Sequence, residues 1–183
     1  MNSEHQNIYC SATQEWLQKC VLGLNLCPFA RKPSIENRVR IVSELSEDEL
    51  SVLERLLSEV EKLDTTDSET LETTLLVIPN LLADFLDFND FVFTANELLH
   101  SRGWEGIYQL AHFHPEYRFA GTDSLDRENY TNRSPYPTLH IIRESSMSEL
   151  LDIHPDPDSI PNTNIDTMCN LSSKQLKDYF YWL

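Results

Sequence analysis

The chain is poor in glycine and in positive charge, and each shortage excludes a class of function. Its 183 residues include four glycines, and they contain no Walker A, G-x-G-x-x-G, G-x-S-x-G or H-E-x-x-H pattern. A conventional nucleotide-cradling loop is therefore not expected. Lysine and arginine total 14 against 30 acidic residues, which gives a net charge of −16. Because phosphate backbones repel so acidic a surface, we expect no nucleic-acid binding.

Long apolar runs and paired cysteines are also missing. No run approaches the roughly 20 apolar residues of a membrane-spanning helix, and residues 1–10 lack the basic and apolar regions of a secretory signal. We therefore expect no membrane association and a cytoplasmic location. The four cysteines form no C-x-x-C pair and no zinc-finger spacing, so reduced thiols are expected.

The apolar patterns predict one α+β domain over residues 1–183. Helical periodicity covers residues 11–24, 46–63, 84–102, 161–170 and 172–183, and strand patterns cover residues 38–43, 73–78, 104–113 and 139–143. This order predicts a four-stranded mixed sheet, built from βαβ crossovers with parallel neighbours plus an antiparallel strand, with helices packed on it.

Three capping-box patterns mark expected helix starts: Ser11 with Gln14, Ser46 with Glu49, and Ser172 with Gln175. In the second helix, we expect the buried stripe to be Leu50, Leu53, Leu57 and Val60.

Histidines are concentrated between residues 112 and 143, where we expect the chemistry to lie. His112 and His114 are two residues apart, which on a strand places both on one face. His140 belongs to the following predicted strand. Imidazoles can transfer protons at neutral pH, so all three are catalytic candidates. If they share a sheet face they could instead hold zinc or iron; the simpler alternative is hydrogen bonding to nearby backbone.

Arginine is the only cationic side chain between residues 103 and 173. A guanidinium group makes two-point contacts with carboxylate or phosphate, which lysine cannot do. Arg133 and Arg143 are therefore candidate ligands for a small anion. The alternative is that the arginines brace the loop through its acidic residues.

The long connection before the last predicted strand contains the run NYTNRSPYP at residues 129–137. It is dense in hydrogen-bonding groups, and its two prolines lower the entropy lost on ordering. Its candidate ligand-binding side chains are Asn129, Asn132, Ser134 and Tyr136. A rigid structural turn is the alternative.

Cys27 is the one candidate outside this segment. Pro28 follows it and favours the start of a helical turn, where the helix dipole would stabilise a thiolate. With His112 or His140 as a nearby base, Cys27 would be a nucleophile. The alternative is a small buried hydrophobic residue.

Several runs resemble one uncharacterised family over nearly the whole chain: LNLCPFA at 24–30, FNDF at 88–91, HFHPEYRF at 112–119 and NYTNRSPYPTLHIIRE at 129–144. The family is labelled domain of unknown function 1415. The resemblance implies a single-domain protein of the same kind, and it implies no activity and no catalytic residues.

The leading hypothesis is an enzyme that acts on a small anionic metabolite through the loop rich in arginine, histidine and asparagine. A non-catalytic module that binds a ligand or a protein, and a histidine-based metal-binding protein, are the alternatives. The reaction, the cofactor and the oligomeric state do not follow from the sequence.

Overall fold

The structure is a computed structural model that describes residues 2–153 and 156–183. Its strands are β1 (Val39–Ser43), β2 (Thr73–Val77), β3 (Tyr108–Phe113) and β4 (Thr138–Arg143). Its α-helices are α1 (Asn2–Trp16), α2 (Arg31–Ile35), α3 (Glu49–Asp64), α4 (Phe85–Ser101), α5 (Glu144–Ile153), α6 (Ile160–Asn170) and α7 (Ser173–Tyr179). Within these ranges, no helix combines the length and apolarity that crossing a membrane requires.

The four strands form one mixed sheet in the order β1-β2-β4-β3. β1 pairs with β2 in parallel, and β4 pairs antiparallel with both β2 and β3. The predicted α+β mixed sheet is confirmed. The expectation that both crossovers join parallel neighbours is wrong for the second one, because β3 runs parallel to β2 but β4 lies between them. β4 is suited to a central position, since Leu139 and Ile141 are fully buried on one of its faces.

Helices cover both faces of the sheet. On one face, α3 and α4 pack with residues such as Leu76 and Ile141 into the larger core. On the other face, α1 and α6 pack with Leu75 into a second core that includes Trp16 and Met168. Because side chains alternate along each strand, the candidate residues on the strands are divided between these two cores.

Two of the three capping predictions are wrong. Ser11 lies inside α1, so it cannot cap a helix there. α3 is capped by Asp48, whose Oδ2 accepts a hydrogen bond from the Ser51 amide at 3.0 Å. The Ser172 capping box at α7 is confirmed.

The predicted buried stripe of α3 is right in part. Val60 is buried as expected and Leu53 packs against the core, but Leu50 is 62% exposed, and the other side chains that face the core are Val52, Leu56 and Leu63. Both stripes are apolar with helical spacing, so periodicity alone does not distinguish them. The short helix α2 and the helix α5 were not predicted.

Candidate functional site

A cavity of about 210 Å³ lies between the sheet and the end of the first helix. Most of the side chains around it are apolar, and its polar members are Cys27, Glu72, Thr73, His140 and Ser146. Among the described residues of its lining, none is lysine or arginine. It brings together two of the sequence-predicted residues, Cys27 and His140.

One wall of the cavity is a π-helical segment that continues α1 over Leu17–Leu22. The five-residue hydrogen bonds of this segment include Gly23 N to Gln18 O at 3.1 Å and Leu26 N to Val21 O at 2.8 Å. Leu17 and Val21 line the cavity from it. A methyl group on Gly23 would lie 2.1 Å from the Lys19 carbonyl oxygen, so the segment depends on glycine there. Single π-helical turns are frequent at functional sites.

His140 enters the cavity from β4, where it pairs with Leu75 on one side and Ala111 on the other. Its Nε2 lies 2.7 Å from the Thr73 hydroxyl oxygen. Burial lowers the pKa of the imidazole to about 4, so the ring is neutral at pH 7. The ring can therefore act as a hydrogen-bonding group without carrying charge.

Cys27 caps a single 3-10 turn, Pro28–Ala30, and Pro28 occupies its first position as predicted. Burial raises the pKa of the thiol, and the nearby backbone amides of Phe29 and Ala30 only partly oppose that rise. The expected thiolate is therefore wrong for the isolated protein. Desolvation of the sulfur outweighs the favourable amides of one short turn.

His112 and His114 lie on the other side of the sheet from His140. The His112 ring packs against Phe88, with centroids 5.9 Å apart, and burial lowers its pKa. His114 is completely buried, and its Nε2 bonds to the Leu82 carbonyl at 3.0 Å. Its Nδ1 accepts the Glu116 amide at 3.0 Å. Both nitrogens of His114 are occupied, which matches the backbone-bonding alternative.

A metal site built from all three histidines is therefore wrong, because the sheet itself separates His140 from the other two. Among the residues that the structure describes, no group of three or more histidine, cysteine or acidic side chains is placed to hold a metal ion.

Arg133 and Arg143 do not converge on an anion site, so that expectation is also wrong. Arg143 is the last residue of β4, whereas Arg133 precedes the strand in the loop, and the two guanidinium groups bond to different segments of the chain. Arg133 is buried, donates to the Ser124 carbonyl at 2.6 Å and stacks on Tyr130 at 4.3 Å. Burial lowers the pKa of Arg133.

Arg143 fastens the end of α3 to the start of β2. Its Nη2 donates to the carbonyls of Leu63 at 2.6 Å, Thr66 at 2.7 Å and Leu71 at 3.1 Å. Its Nη1 donates to the Tyr108 hydroxyl at 3.2 Å. Both candidate arginines therefore brace the fold, although through backbone carbonyls rather than the acidic side chains considered in the alternative.

The asparagines of the NYTNRSPYP run bind the loop's own groups. Asn129 is buried and accepts the Phe119 amide at 2.9 Å, while its Nδ2 donates to the Asp123 carbonyl at 2.7 Å. Asn132 accepts the Thr131 hydroxyl at 3.1 Å.

The other two candidates of the run are engaged in the same way. The Ser134 hydroxyl donates to the Tyr136 carbonyl at 2.6 Å. The Tyr136 ring packs edge-on against Tyr9, with centroids 5.0 Å apart. These contacts correspond to the rigid structural turn.

Most of the cavity wall was not predicted from the sequence. The missed residues include Trp16, Phe29, Thr73, Phe113 and Met147. Apolar side chains with core-like spacing carry no signal that separates a cavity wall from an ordinary core. The one sequence feature that could have indicated the π-helical segment is the glycine that follows residues 17–22.

The molecule is thus an α+β protein with helices on both faces of a mixed sheet and an apolar cavity on one of them. Residues 9–178 match the family model described as protein of unknown function (DUF1415), and the chain belongs to this family. No curated protein and no solved structure matches it.

Proposed function

We propose that this protein binds a small, uncharged and mainly apolar molecule in the cavity between the sheet and the end of α1. The observation that carries the proposal is a space of about 210 Å³ with a mostly apolar wall, in which the titratable groups Cys27 and His140 are both neutral at pH 7. Ligand sites of this kind combine apolar walls with a few fixed polar groups.

The size of the cavity limits the size of the ligand. Drug-sized molecules occupy pockets of about 300–1,000 Å³, and an apolar cavity of about 150 Å³ holds benzene. A space of about 210 Å³ therefore suits a molecule with one ring or an equivalent short chain.

An uncharged ligand fits better than the anionic metabolite that the arginines had indicated. The one carboxylate in the described part of the lining, Glu72, is paired with Arg38 at 3.1 Å. Bringing an unpaired anion into an apolar space costs several kcal/mol or more, and the described lining has no cation to offset that cost.

The enzyme hypothesis remains as a second candidate, because Cys27 and His140 line the same cavity. Burial raises the pKa of the Cys27 thiol and lowers that of the His140 imidazole to about 4, so both shifts oppose proton transfer from the sulfur to the ring. These shifts favour binding over thiol catalysis.

The proposal is tested by titrating the protein with p-xylene and following the backbone amide resonances of Leu17 and Val21. We expect saturable shifts, with a Kd on the order of 1 mM or tighter for a ligand of this size. Ala111 lines the cavity from β3, so Ala111→Leu should fill the space and abolish the shifts.

Ala120→Leu, at an exposed loop position, is the matched control and should bind like the wild type. Equal binding by Ala111→Leu and the wild type would show that the cavity is not the site. Failure of the wild-type protein to bind p-xylene would contradict the proposal directly.

The enzyme alternative has its own assay. The protein is mixed with 4-nitrophenyl acetate at pH 7.5, and the release of nitrophenol is followed. A burst of one equivalent that is lost in Cys27→Ser but kept in Cys169→Ser would favour acyl transfer at Cys27 over the binding proposal. Cys169 is exposed and does not line the cavity.

A further inference from the structure

A short chain of hydrogen bonds determines which nitrogen of His140 carries the proton. The Thr73 hydroxyl donates to the Ile141 carbonyl oxygen at 2.5 Å. The same hydroxyl oxygen lies 2.7 Å from Nε2 of His140. A hydroxyl has one proton to donate, so Nε2 must carry a proton and donate it to Thr73. Since a neutral imidazole has a single N–H, Nδ1 is an acceptor.

The cavity therefore has a directional polar group within an apolar wall. His140 remains neutral over the physiological range because burial holds its pKa near 4. The ring accepts a hydrogen bond through Nδ1, and it does not supply a charge that would select an ionic ligand.

Three aromatic side chains belong to the remaining wall. Trp16 and Phe113 pack edge-to-face with centroids 5.0 Å apart, and the His140 ring lies 6.3 Å from Phe113. Phe29 is a third aromatic residue of the lining. Aromatic rings favour offset-stacked or edge-on contacts with another flat ring.

We propose that the ligand is a neutral, one-ring phenol whose hydroxyl donates a hydrogen bond to Nδ1 of His140 and whose ring lies among Trp16, Phe29 and Phe113. This inference rests on the proposed function and adds the chemical class of the ligand to it. Thr73 is a positioning residue, because it acts through the imidazole and holds the required tautomer.

The test compares p-cresol with p-xylene, which differ by a hydroxyl in place of a methyl group of similar size. We measure the Kd of both in the wild type and in His140→Leu, and take the ratio of the p-xylene Kd to the p-cresol Kd. The ratio should fall about fivefold in His140→Leu, which corresponds to about 1 kcal/mol, the typical contribution of one neutral hydrogen bond.

Two further variants serve as the control and as the substitute for His140→Leu. His112→Gln changes a histidine on the opposite face of the sheet, so its ratio should equal that of the wild type. His140→Leu should fold, because Thr73 keeps its bond to the Ile141 carbonyl. His140→Phe, which retains a flat ring and removes the acceptor, provides the same comparison should the leucine variant not fold.

Each outcome decides a separate question. An unchanged ratio after loss of the imidazole would overturn the phenol assignment and leave the cavity proposal standing. If the wild type bound neither p-cresol nor p-xylene, the proposed function itself would be overturned. A fall of the ratio in His112→Gln as large as that in His140→Leu would also refute the role given to Nδ1.

Discussion

The burial of neutral His140 makes the stability of the protein depend on pH in a calculable way. Its pKa is about 4 in the folded protein and 6.5 when unperturbed. Between these values the unfolded chain binds a proton that the folded chain does not. The stabilisation is therefore present above pH 6.5 and is lost as the pH falls toward 4.

The magnitude follows from the two pKa values. At pH 7.5 both states are almost fully deprotonated at this residue. At pH 5.0 the unfolded imidazole is almost fully protonated and the folded one is about 10% protonated, which lowers the free energy of unfolding by about 2 kcal/mol. The full difference of about 2.5 pKa units corresponds to about 3 kcal/mol below pH 4.

Urea denaturation at pH 7.5 and pH 5.0 measures this effect in the wild type and in His140→Gln. The glutamine amide can donate to Thr73 as the imidazole does, but it does not titrate. We expect the wild type to lose about 2 kcal/mol more than the variant, because the acidic residues and the other histidines contribute equally to both proteins. Equal losses in the two proteins would refute a buried neutral His140.

Two further substitutions test the fold around the cavity and away from it. Gly23→Ala should lower the free energy of unfolding by about 1–3 kcal/mol and abolish p-xylene binding, because its methyl group meets the Lys19 carbonyl oxygen at 2.1 Å. Gly103→Ala, with φ of +79° but open space around it, should cost about 1–2 kcal/mol and keep the binding; parallel loss of binding in both would contradict the role of the π-helical segment. Arg143→Lys should cost about 1 kcal/mol in urea denaturation, since a single ammonium nitrogen cannot also replace the Nη1 donor to the Tyr108 hydroxyl. It should leave p-xylene binding unchanged, and a cost below about 0.5 kcal/mol, as expected of exposed Arg102→Lys, would show that the brace is unimportant.

Most helices and strands were predictable from the sequence, because the residues that start, end and pattern each of them lie within or next to that element. The Ser172–Gln175 capping box starts α7, and Gly103 follows α4 with the positive φ of +79° that glycine tolerates. Patterns failed where two local solutions were equivalent. α3 has apolar residues on more than one possible stripe, and only packing against the sheet selects the stripe around Leu56.

The candidate site was predictable only in part, for a related reason. The type of each residue is visible in the sequence, but the group to which its side chain points is not. Arg133 and Asn129 have the chemistry of ligand-binding residues, yet their polar atoms bond to carbonyls and amides of their own loop. The backbone N–H and C=O groups of a long loop need hydrogen-bond partners, and the polar side chains of the same loop can supply them.

The sequence by itself determined the acidic character of the chain, the α+β class and the choice of Cys27 and His140 as candidates. Tertiary structure decided that β4 enters the middle of the sheet, which places His140 on the face opposite His112 and beside the cavity. The physical reason is the period of two along a strand: adjacent positions face opposite layers. Strand order and pairing then decide which distant residues share a layer, and these depend on contacts across the whole chain.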